Sequence, residues 1–248
     1  MKKTTASGGA PEDLATIQQR FNAAMARFNS RKSYRWFGIA VATANVSLQA
    51  LLLWRLREIH LTIGAWIGAL LVAYVLTDFI NGLVHMYMDA NDRYDSFAGP
   101  LIANFHLHHR TPLYTSRSLP VVYFMESGSK VWLVPCLAAV LWLSASGHLG
   151  PWLAHVLVFT GVLSSVAEVS HYLCHTSNSP VARVLGNSGI LLSKRHHAAH
   201  HLKDNVRYAF LNGLTDPLLD LIAAKLSPGY KNHTDLHYAA YETSENSR

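Results

Sequence analysis

The chain is short of charge and nearly free of cysteine. Only 15% of its 248 residues are Asp, Glu, Lys or Arg, against roughly 25% in a soluble domain. Half of the residues are apolar, so the deficit argues against a soluble domain and for a membrane protein. The two cysteines, Cys136 and Cys174, are too few for a disulfide framework and form no Cys-x-x-Cys pair, which argues against zinc-ribbon and iron–sulfur sites. No haem or flavin motif is present. Residues 1–35 hold no long apolar run, so no cleavable signal peptide is expected. The net charge of +6 is dispersed around apolar segments. Its expected partner is anionic lipid headgroups, not nucleic acid.

Four apolar runs are long enough to cross a bilayer: residues 36–57, 62–88, 131–147 and 152–175. The second is about 40 Å long as a helix, longer than the ~30 Å hydrocarbon core. Its last turns, with His85 and Asp89, are expected at headgroup level. Two short loops, 58–61 and the turn at Gly150-Pro151, return the chain, so both ends and the long segments 89–130 and 176–225 share one side. Arg55 and Arg57 are the only Lys or Arg near the opposite side. The positive-inside tendency then makes the shared side cytoplasmic. Ahead of the first span, Leu14, Ile17, Phe21, Met25 and Phe28 recur at helical spacing against Arg20, Arg27, Arg31 and Lys32, the pattern of an interfacial helix over 12–32.

What the chain has in excess is histidine, 15 in all, and most of them fall in four clusters: His85-Met-Tyr-Met-Asp89, His106-Leu-His108-His109, His171-Tyr-Leu-Cys-His175 and His196-His197-Ala-Ala-His200-His201. The topology above puts every cluster on one face of the membrane. Neutral imidazole is the commonest nitrogen ligand for a transition metal. His85 and Asp89, like His171 and His175, are four apart and share a helix face. His197, His200 and His201 fall at i, i+3 and i+4, while His196 lies about 100° around the helix, as a further ligand or a supporting group. His108 and His109 are adjacent, so each can face a different metal. This is more imidazole than one ion can hold, and it predicts a two-metal centre at a membrane surface. Asp78, seven residues before His85, and Glu168, three before His171, either accept a ring N–H and fix a tautomer or make a structural hydrogen bond to a neighbouring helix. The scattered His60, His148, His155, His233 and His237 read as interfacial polar residues.

The motifs, in order, are Asp78-Phe-Ile-Asn-Gly-Leu-Val-His85-x-x-x-Asp89, Phe105-x-x-His108-His109-x-x-Pro112, His171-x-x-x-His175 and Leu192-x-x-x-His196-His197-x-x-His200-His201. Together they resemble the Kua-type lipid desaturases, a family that includes plasmanylethanolamine desaturases and the chloroplast desaturases acting on palmitate in phosphatidylglycerol. The resemblance runs from about residue 70 to 225. It departs at Met86 and at Tyr172-Leu173, where the family carries Trp, and in an apparent insertion over 115–128. It implies an O₂-dependent membrane oxidoreductase with two iron ions, acting on a membrane lipid and fed by a separate electron donor of ferredoxin or cytochrome b5 type. By matching position the metal ligands are His85, His108, His109, His171, His175, His196, His197, His200 and His201. Asp89 joins them as ligand or supporting acid, and His106 has no counterpart.

The sequence therefore predicts an all-α polytopic membrane protein with four transmembrane helices and a cytoplasmic histidine-rich cap. A polar segment (1–35) precedes the desaturase domain (36–225), and a tail (226–248) follows it. Arg110 and Arg117 are placed near the lipid headgroup, and the apolar faces of the spans offer a slot for the chain. The most probable substrate by resemblance is the alkyl ether chain of plasmanylethanolamine. Acyl desaturation or hydroxylation is the rival within the class, and a metal transporter or sensor is the rival outside it.

Overall fold

The computed structural model describes residues 14–109, 116–203 and 205–227. They form helices and connecting turns, with no strand among the described residues. Arg110 and Pro112, His233 and His237, and nearly all of the 226–248 tail lie outside them. Three helices are long and apolar enough to cross a membrane. They are α2 (Lys32–Leu56), α3 (Ile63–Asp89) and α7 (Pro151–Thr176). Helices α3 and α7 make the main packing pair, and their C-terminal ends lie together. Thr62 caps α3 by accepting the Ala65 N–H, and Pro151 sits at the first position of α7, where a missing N–H costs nothing. Apolar side chains such as Leu51, Leu53, Ile67, Leu71 and Val75 point outward, as lipid-facing residues of a span must.

The third expected span is not a straight helix. Its apolar run folds as α6 (Leu133–Ala145), 13 residues or about 20 Å, too short for the ~30 Å core. Crossing requires the preceding α5 (Leu119–Glu126) and the 3₁₀ turn Ser127–Ser129, and these meet α6 at a 92° bend. Among the described residues there are thus three continuous candidate spans and one bent helix pair that makes a fourth if it crosses. The break stands where Asn45 of α2 donates to the carbonyls of Ser127 and Lys130, so the backbone freed by the bend is satisfied inside the protein. Gly128 lies so close to α2 that a Cβ there would stand 2.5 Å from the Gly38 carbonyl oxygen.

The amphipathic N-terminal segment forms α1 (Leu14–Ser30). Its apolar face is covered by protein: Phe21, Ala24 and Met25 are buried against Tyr94, Ile102 and Ala103, the last two on α4 (Gly99–His106). The expected interfacial helix therefore docks on the cap. The rest of the cap is α8 (Pro180–Asn187), α9 (Lys194–Leu202) and α10 (Asp216–Leu226), with the segment 205–215 between the last two.

One face of α3 joins span to cap. Asp78 accepts the N–H groups of Asn212, Gly213 and Thr215 and the Thr215 hydroxyl. One turn on, Gly82 admits the cap: a Cβ there would meet Leu219 Cδ1 at 2.3 Å and the Ala209 backbone at 3.3 Å. His85 and Asp89 follow on the same face. A buried carboxylate that takes four donors is well matched to the low-dielectric interior.

Candidate metal centre

The fold brings together every expected metal ligand except His196, in adjoining groups within which the candidate ligand atoms lie within 4.8 Å of one another. The first group is His85, Asp89, His109 and His200, all buried. The second is His108, His171, His175 and His197. His201 joins His108 and His109 in a third set that bridges them. The ring of His108 lies 4.2 Å from that of His109 and 4.9 Å from that of His171, centroid to centroid, and so links the two groups. Span ends supply His85, Asp89, His171 and His175; the 3₁₀ turn Leu107–His109 supplies the adjacent pair, and α9 supplies the rest. Ser193 caps α9 by accepting the His196 N–H, which sets the rotation that turns His197, His200 and His201 inward.

Backbone carbonyls fix the tautomers. A carbonyl only accepts, so Nδ1 of His85 donates to Tyr208 O at 2.8 Å, Nδ1 of His200 to Val206 O at 2.8 Å, and Nδ1 of His108 to Phe105 O at 2.6 Å. Each neutral ring is left with its lone pair on Nε2, the nitrogen that faces the cluster. His108 Nε2 is buried without a hydrogen-bond donor. The Nε2 atoms of His85 and His200 stand 3.4 and 3.2 Å from Asp89 Oδ2, and His109 Nε2 stands 3.0 Å from Asp89 Oδ1. In the second group the Nε2 atoms of His171, His175 and His197 are mutually 2.9–3.1 Å apart, and His201 Nε2 is 3.0 Å from that of His197.

Lone pairs aimed at a carboxylate, as those of His85 and His200 are, repel it unless a cation lies between them. Burial, reinforced by the neighbouring rings, also holds His108 and His197 well below the usual histidine value of 6.5. Neutral imidazole is the form that ligates. The donor set, nitrogen-rich with one carboxylate and no thiolate, fits a transition metal in each group.

Three sequence assignments change place. His196 is turned away from both groups; its Nε2 bonds Asp216 Oδ2 at 2.5 Å, because one residue of helix carries it about 100° off the ligand face. Asp78 spends its carboxylate on the 212–215 backbone, not on a ring N–H. Glu168 pairs with Lys130 Nζ at 2.8 Å, deeper in the bundle than His171. His106 lies outside the ligand groups: Nδ1 bonds the Tyr94 hydroxyl at 2.6 Å and Nε2 the Met88 carbonyl at 2.8 Å. It ties α4 to the end of α3.

Sequence reasoning passed over Lys130 and Asp216. Lys130 carried a signal, as the only Lys between Lys32 and Lys194 and at the edge of an apolar run. Asp216 carried none, since its partners lie at positions 196 and 209. The carbonyls of Phe105, Val206 and Tyr208 have no side-chain signature at all.

A search of curated proteins and a search of solved structures both returned no match to the chain. A family model described as a lipid desaturase domain matches residues 74–224. That stretch holds every residue of both ligand groups, so the chain belongs to the lipid desaturase domain family and is a membrane-embedded lipid desaturase whose histidine groups can hold metal.

Proposed function

We propose that the protein is an O₂-dependent di-iron desaturase acting on the alkyl ether chain of plasmanylethanolamine, producing a vinyl ether. The observation that carries the metal part is the pair of abutting ligand groups, one with a carboxylate and one all imidazole, built from four separated segments. The Nε2 atoms of His171, His175 and His197, 2.9–3.1 Å apart, converge closely enough to share one ion, and a donor set of imidazoles with one carboxylate supports iron among the metals it suits. When bound, iron supplies the activation of O₂ and the removal of hydrogen from an unactivated CH₂.

The overall reaction balances as one CH₂–CH₂ unit, O₂, two electrons and two protons giving one CH=CH unit and two waters. Two of the four electrons come from the lipid and two from a separate donor of ferredoxin or cytochrome b5 type. The side chains hold the metals, exclude water and orient the chain. Phe105 and Phe210 pack edge-on against His85 and line the groups with apolar surface. Arg117 is exposed, with its backbone N–H donating to the Tyr172 hydroxyl, and its guanidinium is the group assigned to a phosphate headgroup. The positive-inside tendency of the basic residues around the start of α2 supports a cytoplasmic side for the ligand groups. Ligands at the ends of the spans favour an enzyme over a transporter, whose site lies near the midplane.

Cells that lack plasmalogens but make plasmanylethanolamine test the proposal. Expression of the wild-type chain is expected to yield a lipid lighter by two hydrogens at the ether chain, and His200→Ala is expected to yield none. A product heavier by one oxygen identifies a hydroxylase, an acyl product changes the substrate, and unchanged lipids count against the reading.

A further inference from the structure

His196 belongs to a histidine quartet, yet its ring serves another purpose, and the surroundings show which. On one side, Nε2 donates to Asp216 Oδ2. Asp216 is buried, 2% exposed, and its other oxygen accepts the Ala209 N–H at 2.8 Å. The same end of the ring lies against Gly213, where φ is +85° and a Cβ would stand 2.7 Å from His196 Nε2. Gly213 and Ala209, whose N–H Asp216 accepts, both lie on segment 205–215, between α9 and α10. This segment follows a costly path: Asn205 and Arg207 have φ of +55° and +59°, a region side chains rarely adopt and that must be held by its surroundings. Asp220 holds it as well, by accepting the Arg207 N–H at 2.7 Å.

The same segment supplies the carbonyls of Val206 and Tyr208, which receive the Nδ1 protons of His200 and His85. Both rings belong to the group that contains Asp89. No carbonyl of 205–215 bonds a ring of the second group among the described residues. We infer that His196 and Asp216 form a latch that presses segment 205–215 into place, so that its carbonyls fix the tautomer and aim of His85 and His200. His196 is then a positioning residue for one metal group and not a ligand of either. The inference rests on the two-metal reading above.

The test is titration of metal-stripped, folded full-length protein with ferrous or cobaltous ion alone, counting ions per chain and following the ligand-field spectrum. The wild type is expected to bind two ions. His196→Ala is expected to weaken one by about 10–100-fold, the usual effect of losing a group that orients a ligand, and to leave the other unchanged. His196→Gln, which keeps an N–H toward Asp216, is expected to restore most of that loss. Asp216→Asn is expected to weaken the same ion, and the double variant to be no worse than either single one. If His196→Ala abolishes a site as His200→Ala does, Gln gives no rescue and Asp216→Asn binds normally, His196 is a ligand and the inference fails. If both single variants bind two ions as tightly as the wild type, no latch exists. A wild type that binds no metal overturns the two-metal reading itself, which separates that failure from this one.

Discussion

Two buried polar layers sit one helical turn apart on α3 and α7, and they are built on opposite logic. In the deeper layer Lys130 Nζ meets Glu168 at 2.8 Å and the Asn81 side-chain oxygen Oδ1. Asn81 in turn donates to Ser164, Gln49 to Ser165, and Tyr123 to Gln49. Each contact joins a donor to an acceptor or a cation to an anion. In the upper layer, four residues beyond Asn81 and three beyond Glu168, the lone pairs of His85 and His200 face the Asp89 carboxylate and imidazole nitrogens crowd one another. The first arrangement pairs its own groups. The second gathers ligand atoms that can hold metal. Phe210 separates them, with its ring 4.8 Å from Lys130 Nζ and 5.3 Å from the rings of both His85 and His171.

Substitutions in the two layers are therefore expected to fail differently. The largest effect on chemistry comes from the upper layer. His200→Ala is expected to lower desaturation more than 100-fold and to remove metal, while the protein still inserts and folds; lipid mass spectrometry and metal analysis of the purified variant check both. The largest effect on stability comes from the deeper layer. Lys130→Met leaves Glu168 buried without its counter-ion and is expected to cost about 3–5 kcal/mol, measured as reduced resistance to unfolding in detergent. Lys130→Met combined with Glu168→Leu is expected to recover most of that loss. Recovery in the double variant marks the pair as structural; a lost metal with unchanged stability would reverse the comparison.

Acid sharpens the contrast at intermediate size. His108 and His197 are held neutral by burial below the usual value of 6.5. Between that value and the lower folded one the unfolded chain binds more protons, so stability falls as pH falls, by up to about 1.4 kcal/mol per pH unit for each ring. Unfolding of metal-free protein is expected to become easier from about pH 6.5 downward, and bound metal is expected to oppose it. Metal-free protein equally stable at pH 7 and pH 5 would contradict neutral, buried rings. The smallest effect is expected at His106, whose nitrogens are engaged by Tyr94 and Met88. His106→Gln is expected to retain both metals and lose about 1–2 kcal/mol of stability, because a cluster neighbour that is not a ligand behaves as the deeper layer does.

Much of this was legible in the residues. The apolar runs of α3 and α7 and the four-residue spacing of His85 with Asp89 and of His171 with His175 place those groups on helix faces at the ends of the candidate spans, where the structure has them. The broken third span was hidden because hydropathy does not register a bend. One Lys before an apolar run gives no direction until Glu168 and Asn81 are beside it. The α1 face looked lipid-directed because periodicity reports an apolar stripe and not what covers it. His196 was assigned to the ligands and the role of Asp78 was left open for one reason: Asp216 and the 212–215 backbone reach them only through tertiary folding, and sequence spacing carries no trace of that contact.

The most direct measurement is the metal content of purified wild-type protein, by elemental analysis with Mössbauer spectroscopy on protein produced in iron-57 medium. The account predicts two irons per chain in nitrogen-rich sites. One ion per chain, or tetrahedral zinc with no desaturase activity, would contradict it.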